Sequence, residues 1–350
     1  MRAFEPTMQK EIGIFLGRLL TPGRNGSSVD MTPRCAYLAV DIIGQLAFGY
    51  ALKTQTVATN RSVSVGLNAM STVNSLLMAW PHLSIPASVL TRLGSKTASE
   101  FRGVLLKMIG ARKAIPRDEK NDLYASISND MSDAELWPEA IFLLAAGGGT
   151  VHTTMAVIFF YLSRNSAAYI RLAHEIRAKF SNSQEIRQGA QLTGCKYLRA
   201  VIDESLRISP SSLQVTWREQ AQSSVAAGET LAIDGHVIPP GTQIAVNFYS
   251  LFHNPTYFPD PFTFRPERWL PEEQGSSEQE EQRIIMRRAF QPSLLGDRGC
   301  AGKPMAYMEL SLIIAKTLWY FDFHKAPGEA GMVGEGNAKS TDGRHRRDEF

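Results

Sequence analysis

The sequence predicts a mainly α fold with a minor β part. Three observations carry this. Through the first two thirds of the chain, apolar residues recur at helical spacing. After Pro210 that period gives way to short β-prone runs set between turn residues. A final amphipathic segment, Pro304 to Tyr320, returns to the helical period. The 350 residues suffice for one large core or two ordinary domains, and no internal repeat divides them.

The elements follow in order. Asp30 to Gly49 places Ala36, Val40, Ile43 and Ala47 on one helix face. Ser132 followed by Glu135 is a capping-box signature. It opens a long apolar helix that runs to about Arg164. Asn165 is expected to cap the next helix, with Tyr169, Leu172, Ile176 and Phe180 on its packed face. Tyr197, Val201 and Leu206 lie on a shorter helix that Pro210 ends. Asp234-Gly235 between Thr230 and Ile238 signals a hairpin. Pro239-Pro240-Gly241 signals a turn and Gln243 to Phe248 a further strand. His253 to Leu270, rich in Pro and aromatics, reads as an ordered meander. Gly275 to Gln282 reads as an acidic loop, and Gly328 to Phe350 as a flexible tail.

Charge and cysteine content exclude several function classes. Lys and Arg total 37 against 34 Asp and Glu, a formal net charge of +3, which gives no case for nucleic acid. The tight basic run Arg344-His345-Arg346-Arg347 sits in the polar tail. No two of the three cysteines, Cys35, Cys195 and Cys300, stand close enough in sequence for a Cys-x-x-Cys zinc site, and three cysteines make no disulfide framework. A reducing compartment, or a surface facing one, fits best. Ala140 to Leu162 carries no Asp, Glu, Lys or Arg and passes the length test for a membrane span. Gly147, Gly148, Gly149, Thr150, His152, Thr153 and Thr154 fill its middle with small and polar groups, so a helix buried in a helical core is the better reading.

Three constellations carry chemistry. In the stretch Phe290 to Gly302, the glycines Gly296, Gly299 and Gly302 flank Cys300, and a helix starts just after it. A metal-binding thiolate needs a tight loop that brings backbone amides to the sulfur, and glycines permit that approach. The positive end of the following helix favours a thiolate. Arg298 can meet an anionic group such as a propionate. An isolated cysteine is more often an inert core residue; the glycines, Arg298 and the helix start argue otherwise. Second, Glu204 and Arg207 are i,i+3 neighbours on a helix and can pair. Third, Arg268 in Pro266-Glu267-Arg268-Trp269 can close a network with them. As an isolated surface pair, Glu204 and Arg207 would be worth little.

In this order and spacing the three pieces resemble the helix-K motif, the meander motif and the cysteine-ligand loop of the cytochrome P450 family, with fungal members especially similar. The resemblance covers nearly the whole chain and implies a single, partial domain over 1–350. It implies a P450-like helical fold around haem b, with Cys300 as axial ligand. Gly296 and Gly302 would shape the loop, and Arg298 and Arg218 would hold haem propionates. The implied activity is a monooxygenase that inserts one atom of O2 into an apolar small molecule, in fungal secondary metabolism. Electrons would come from NADPH through a partner reductase. The implied location is the cytosolic face of the endoplasmic reticulum membrane.

The long helix would be the oxygen-side helix. Its family pattern is Ala/Gly-Gly-x-Asp/Glu-Thr-Thr, set here against Ala146-Gly147-Gly148-Gly149-Thr150-Val151. Gly147 would leave room for dioxygen and Thr150 would support proton delivery. Close helix packing explains the glycines equally well. Gly149 stands where the acid is usual, Val151 where a second Thr is usual, and Ser293 where Phe is usual. By the same comparison Met1 falls near the family's fourth helix. The membrane anchor, first sheet and closing hairpin have no counterpart, so a chain incomplete at both ends is expected. Three alternatives stay open: an impaired remnant of the same fold, a haem-thiolate isomerase or dehydratase, and a helical protein with one membrane span.

Overall fold

The computed structural model describes residues 2–79, 96–116, 119–120, 122–126, 131–213, 215–271 and 276–334. The principal helices are α1 (Glu5–Arg24), α2 (Met31–Phe48), α3 (Ser62–Ala79), α4 (Lys96–Lys113), α5 (Asp133–Leu144), α6 (Thr150–Arg164), α7 (Ser166–Lys179), α8 (Lys196–Ile208), α9 (Phe248–Phe252), α10 (Ser277–Ala289) and α11 (Lys303–Tyr320). Among the described residues the β structure is one antiparallel hairpin, β1 (Leu231–Ile233) with β2 (His236–Ile238), and one isolated bridge between Arg218 and Ile244. The fold is mainly α with a minor β part.

Local chemistry sets several boundaries. The Asp30 carboxylate accepts from the Thr32 N–H at 3.0 Å and opens α2. Gly49, at φ 55°, closes it with its N–H on the Gln45 carbonyl. The Glu135 carboxylate accepts from both the N–H and the hydroxyl of Ser132 and opens α5. The hairpin turns on Asp234 (φ 49°) and Gly235 (φ 77°), as a two-residue turn with both central residues left-handed requires.

The main core joins α1, α2, α6, α7, α8 and α11. Ile12 and Phe15, Leu38 and Ile42, Ile158, Leu172, Val201 and Ile314 are buried in it. A second cluster joins α2 to α4 and α5 through Ile43, Leu105 and Leu144. A third, of Phe252, Phe258, Trp269 and Met286, seats the meander and α10 against α8. The apolar stretch Ala134–Arg164 is long and apolar enough to cross a membrane, with mean hydropathy 1.6. Its second half packs into the main core through Val151, Met155, Ile158 and Leu162.

Four expectations change. The acidic segment near Ser276 is helical rather than a loop. Ser276 accepts from the Gln279 N–H and Gln279 accepts from the Ser276 N–H, and Glu278 and Glu280 then favour the helix start. The strand expected over Gln243 to Phe248 reduces to the Arg218–Ile244 bridge, because Asn247 accepts from the Ser250 N–H and starts α9. Asn165 holds the first position before α7, but its side chain donates to the Tyr161 carbonyl at 2.7 Å and ties down the end of α6 instead. The expected tail begins folded: Glu329–Met332 is one helical turn, and Arg164 donates to the carbonyls of Gly331 and Val333. Residues 335–350, with the Arg344 to Arg347 run, lie outside the described residues.

Candidate haem-thiolate site

Cys300 sits at the end of a loop bent by two left-handed residues, Leu294 (φ 61°) and Gly296 (φ 70°). A left-handed leucine costs roughly 1–2 kcal/mol, which the surrounding contacts must hold. The Cys300 N–H donates to the Ser293 carbonyl at 2.8 Å and the Gly299 N–H donates to the Gly296 carbonyl at 2.9 Å, closing the loop on itself. A Cβ on Gly302 would stand 3.7 Å from the Cys300 sulfur, so the backbone passes close to it. Lys303 then begins the 18-residue α11, with Pro304 in its first turn.

The three cysteines divide sharply. Cys35 and Cys195 are buried and Cys300 is exposed. Burial drives the Cys35 thiol far above its ordinary value. It also pushes Cys195 up to about 11, with Glu175 adding to the effect. Neither is a candidate thiolate. Cys300 alone combines access, a glycine-turned loop and a helix start. Leu295 in the cysteine loop is left 70 % exposed, apolar surface that a flat apolar group would cover. The residues present therefore fit a haem.

The arginines expected at the propionates are both exposed. Arg298 makes no hydrogen bond or ion pair among the described residues. Arg218 exchanges two 2.8 Å backbone bonds with Ile244, and its guanidinium donates to the Trp217 carbonyl at 3.0 Å.

Between α5 and α6 lies a π turn, Ala145–Gly149. A single π turn frees carbonyls from the ordinary ladder, and here side chains take them up. The Thr150 hydroxyl donates to the Ala146 carbonyl at 2.7 Å and the Thr153 hydroxyl to the Gly149 carbonyl at 3.0 Å. Thr154 donates to the Thr150 carbonyl at 2.9 Å, and His152 Nδ1 meets the Gly148 carbonyl at 3.1 Å. Gly147 is a packing glycine: a Cβ there would stand 2.5 Å from Ile43 Cδ1 of α2. At Gly149 a Cβ would meet nothing within 4 Å.

The structure brings Glu204, Arg207 and Arg268 together. Arg207 forms a two-pronged pair with Glu204 at 2.8 and 3.0 Å, both side chains fully buried. Arg268 Nε donates to the same carboxylate at 3.2 Å. Trp269 Nε1 and the Arg265 N–H add 3.0 and 2.9 Å bonds to it. The arginines then reach into the meander. Arg207 donates to the Phe252 and Pro261 carbonyls, and Arg268 to those of Pro259, Asp260 and Thr263. Trp269 and these carbonyls were not foreseen. The network pins the meander to α8 and lies apart in sequence from the cysteine loop.

The cytochrome P450 family matches residues 1–333. The chain is 33 % identical over 346 residues to the cytochrome P450 monooxygenase poxM of Penicillium oxalicum, covering 94 % of this chain and 65 % of that protein. It is 33 % identical to the cytochrome P450 monooxygenase apf7 of Gibberella fujikuroi, covering 87 % of this chain and 59 % of that one. It is 34 % identical to apf8 of the same fungus, over 85 % of this chain and 82 % of that one. The chain thus spans just under two thirds of the length of the first two. A crystal structure of the cytochrome P450 CYP102L1 shares the fold at a TM-score of 0.72 with 19 % identity, covering 94 % of this chain and 70 % of that one. The chain belongs to the cytochrome P450 family.

Proposed function

We propose that this chain is the haem-thiolate portion of a monooxygenase that inserts one oxygen atom of O2 into an apolar small molecule. The observation that carries the reading is Cys300: an exposed cysteine in a glycine-turned loop at the head of α11, while the other two are buried. When bound, haem would supply oxygen activation and electron uptake. Cys300 Sγ would hold its iron, with the close backbone of Gly302 beside the sulfur. Arg298 and Arg218, both exposed, would carry its propionates. Ala146, Thr150 and Thr153, the exposed and half-exposed residues at the α5–α6 junction, would line the opposite face. Electrons would come from NADPH through a reductase. The names of the fungal relatives support secondary metabolism, and the family supports the cytosolic face of the endoplasmic reticulum membrane.

The test is isotopic. The chain is incubated with NADPH, a fungal NADPH–cytochrome reductase, an apolar extract of fungal culture and 18O2. Products that carry one heavy oxygen, and that require all three components, are expected. Products formed without heavy oxygen, or without NADPH, would point instead to rearrangement or dehydration.

A further inference from the structure

We propose that α10 carries a self-complementary face on which a second copy of this chain docks, the two helices running antiparallel about a two-fold axis between Ile284 and Ile285. The inference is independent of the haem reading above.

One side of α10 (Ser277–Ala289) is committed inward. Met286 is buried in the third core cluster with Phe252, Phe258 and Trp269. Gln282 donates to the Thr256 and Tyr257 carbonyls at 3.0 and 3.2 Å. Arg287 donates to the Trp269 carbonyl, and Arg283 pairs with Glu280.

The other side is left open. At about 100° per residue, Glu281, Ile284 and Arg288 fall within about 60° of one another and away from Met286, with Ile285 at their edge. Glu281 and Arg288 are exposed, and Ile284 and Ile285 are 44 % and 37 % exposed. Neither the Glu281 carboxylate nor the Arg288 guanidinium has a hydrogen bond or ion pair among the described residues. They stand about 10 Å apart along the axis and do not pair with each other. The helix dipole favours acidic residues early in a helix and basic residues late. It gives no reason for two adjacent isoleucines in water, between an acid and a base that are both unpaired.

The spacing makes this stripe its own complement. With a second α10 laid antiparallel and centred between Ile284 and Ile285, each Glu281 stands level with the partner's Arg288, and each Ile284 with the partner's Ile285. Such a contact closes at two chains. Its apolar centre leaves water, and the two ion pairs at its rim set register and direction more than affinity. A parallel pairing would set acid on acid and base on base. One acid and one base along the stripe give no attraction to nucleic acid or an anionic lipid surface. A helix of 13 residues is about 20 Å long, so the interface is smaller than standard and a weak dimer, in the micromolar range, is expected.

The test is sedimentation of the whole 350-residue chain over a range of concentrations. The unaltered chain is expected to pass from the mass of one chain to that of two, with a dissociation constant that rises with salt. Glu281→Arg and Arg288→Glu should each raise that constant roughly 10-fold or more, because each sets like charges opposite one another. Mixed one to one, these two variants should associate again, since every contact then joins an acid to a base; that recovery also shows that both are folded. Ile284→Ser should weaken the dimer with little change in its salt dependence. A single-chain mass up to on the order of 100 μM would overturn the proposal. So would growth past two chains, a dimer indifferent to the charge reversals or to Ile284→Ser, or a mixture that stays apart.

Discussion

Cys300 is distinguished from Cys35 and Cys195 by what surrounds each sulfur. The Cys300 sulfur is open to an incoming metal beside backbone at a helix start, whereas those of Cys35 and Cys195 are enclosed in the core. Glu309 makes a second residue-scale statement. It is buried in α11, its Oε1 has no partner, and burial pushes its carboxyl from 4.5 up to about 8. The folded state therefore holds this proton more tightly than the unfolded state does. Its stabilising contribution is complete below about pH 4.5 and is lost as pH rises through about 8. Glu309→Gln should remove that loss, so the variant gains stability relative to the parent above neutrality, by an amount on the order of a few kcal/mol. Urea denaturation at pH 5 and pH 8 checks it; equal pH dependence in both proteins would be the contrary result. The tight loop around Cys300 was legible because glycine spacing is a local signal. The π turn at Ala145–Gly149 was not, because no periodicity announces it.

At the scale of elements, the α5–π–α6 junction separates two glycines that look alike in sequence. Gly147 faces Ile43 of α2, where a methyl group would stand at 2.5 Å. Gly147→Ala should cost about 1–3 kcal/mol through overpacking, offset in part by helix propensity. Gly149 faces open space, so Gly149→Ala should be neutral or stabilise by about 0.5–1 kcal/mol. Thermal melting of the two variants should move in opposite directions; a larger loss at Gly149 would contradict the packing described. The same scale shows where the sequence reading stopped. The hairpin at Asp234-Gly235 was readable because two left-handed residues demand that chemistry. The helix from Ser277 was hidden by its acidic first turn, although Ser276 and Gln279 carried the capping box. The strand expected near Ile244 lacked a partner longer than Arg218.

Across the whole molecule, the Glu204–Arg207–Arg268 network holds the long-range order between α8 and the meander. Glu204→Ala would strand two buried guanidiniums, at a cost of roughly 3–5 kcal/mol. Against a total stability of about 5–15 kcal/mol, that leaves little folded chain at physiological temperature. Soluble Glu204→Ala with a parental urea midpoint would refute the structural role. The motif pair was visible in sequence, whereas the Trp269 indole and the meander carbonyls belong to the fold and could be seen only there. The central claim is that Cys300 ligates haem iron as a thiolate. The most direct measurement is the absorbance of the reduced carbon monoxide complex, taken for the unaltered chain and for Cys35→Ala, Cys195→Ala and Cys300→Ala. A strongly red-shifted Soret band is expected in the first three and its complete loss in Cys300→Ala, and a band that survives Cys300→Ala would contradict the account.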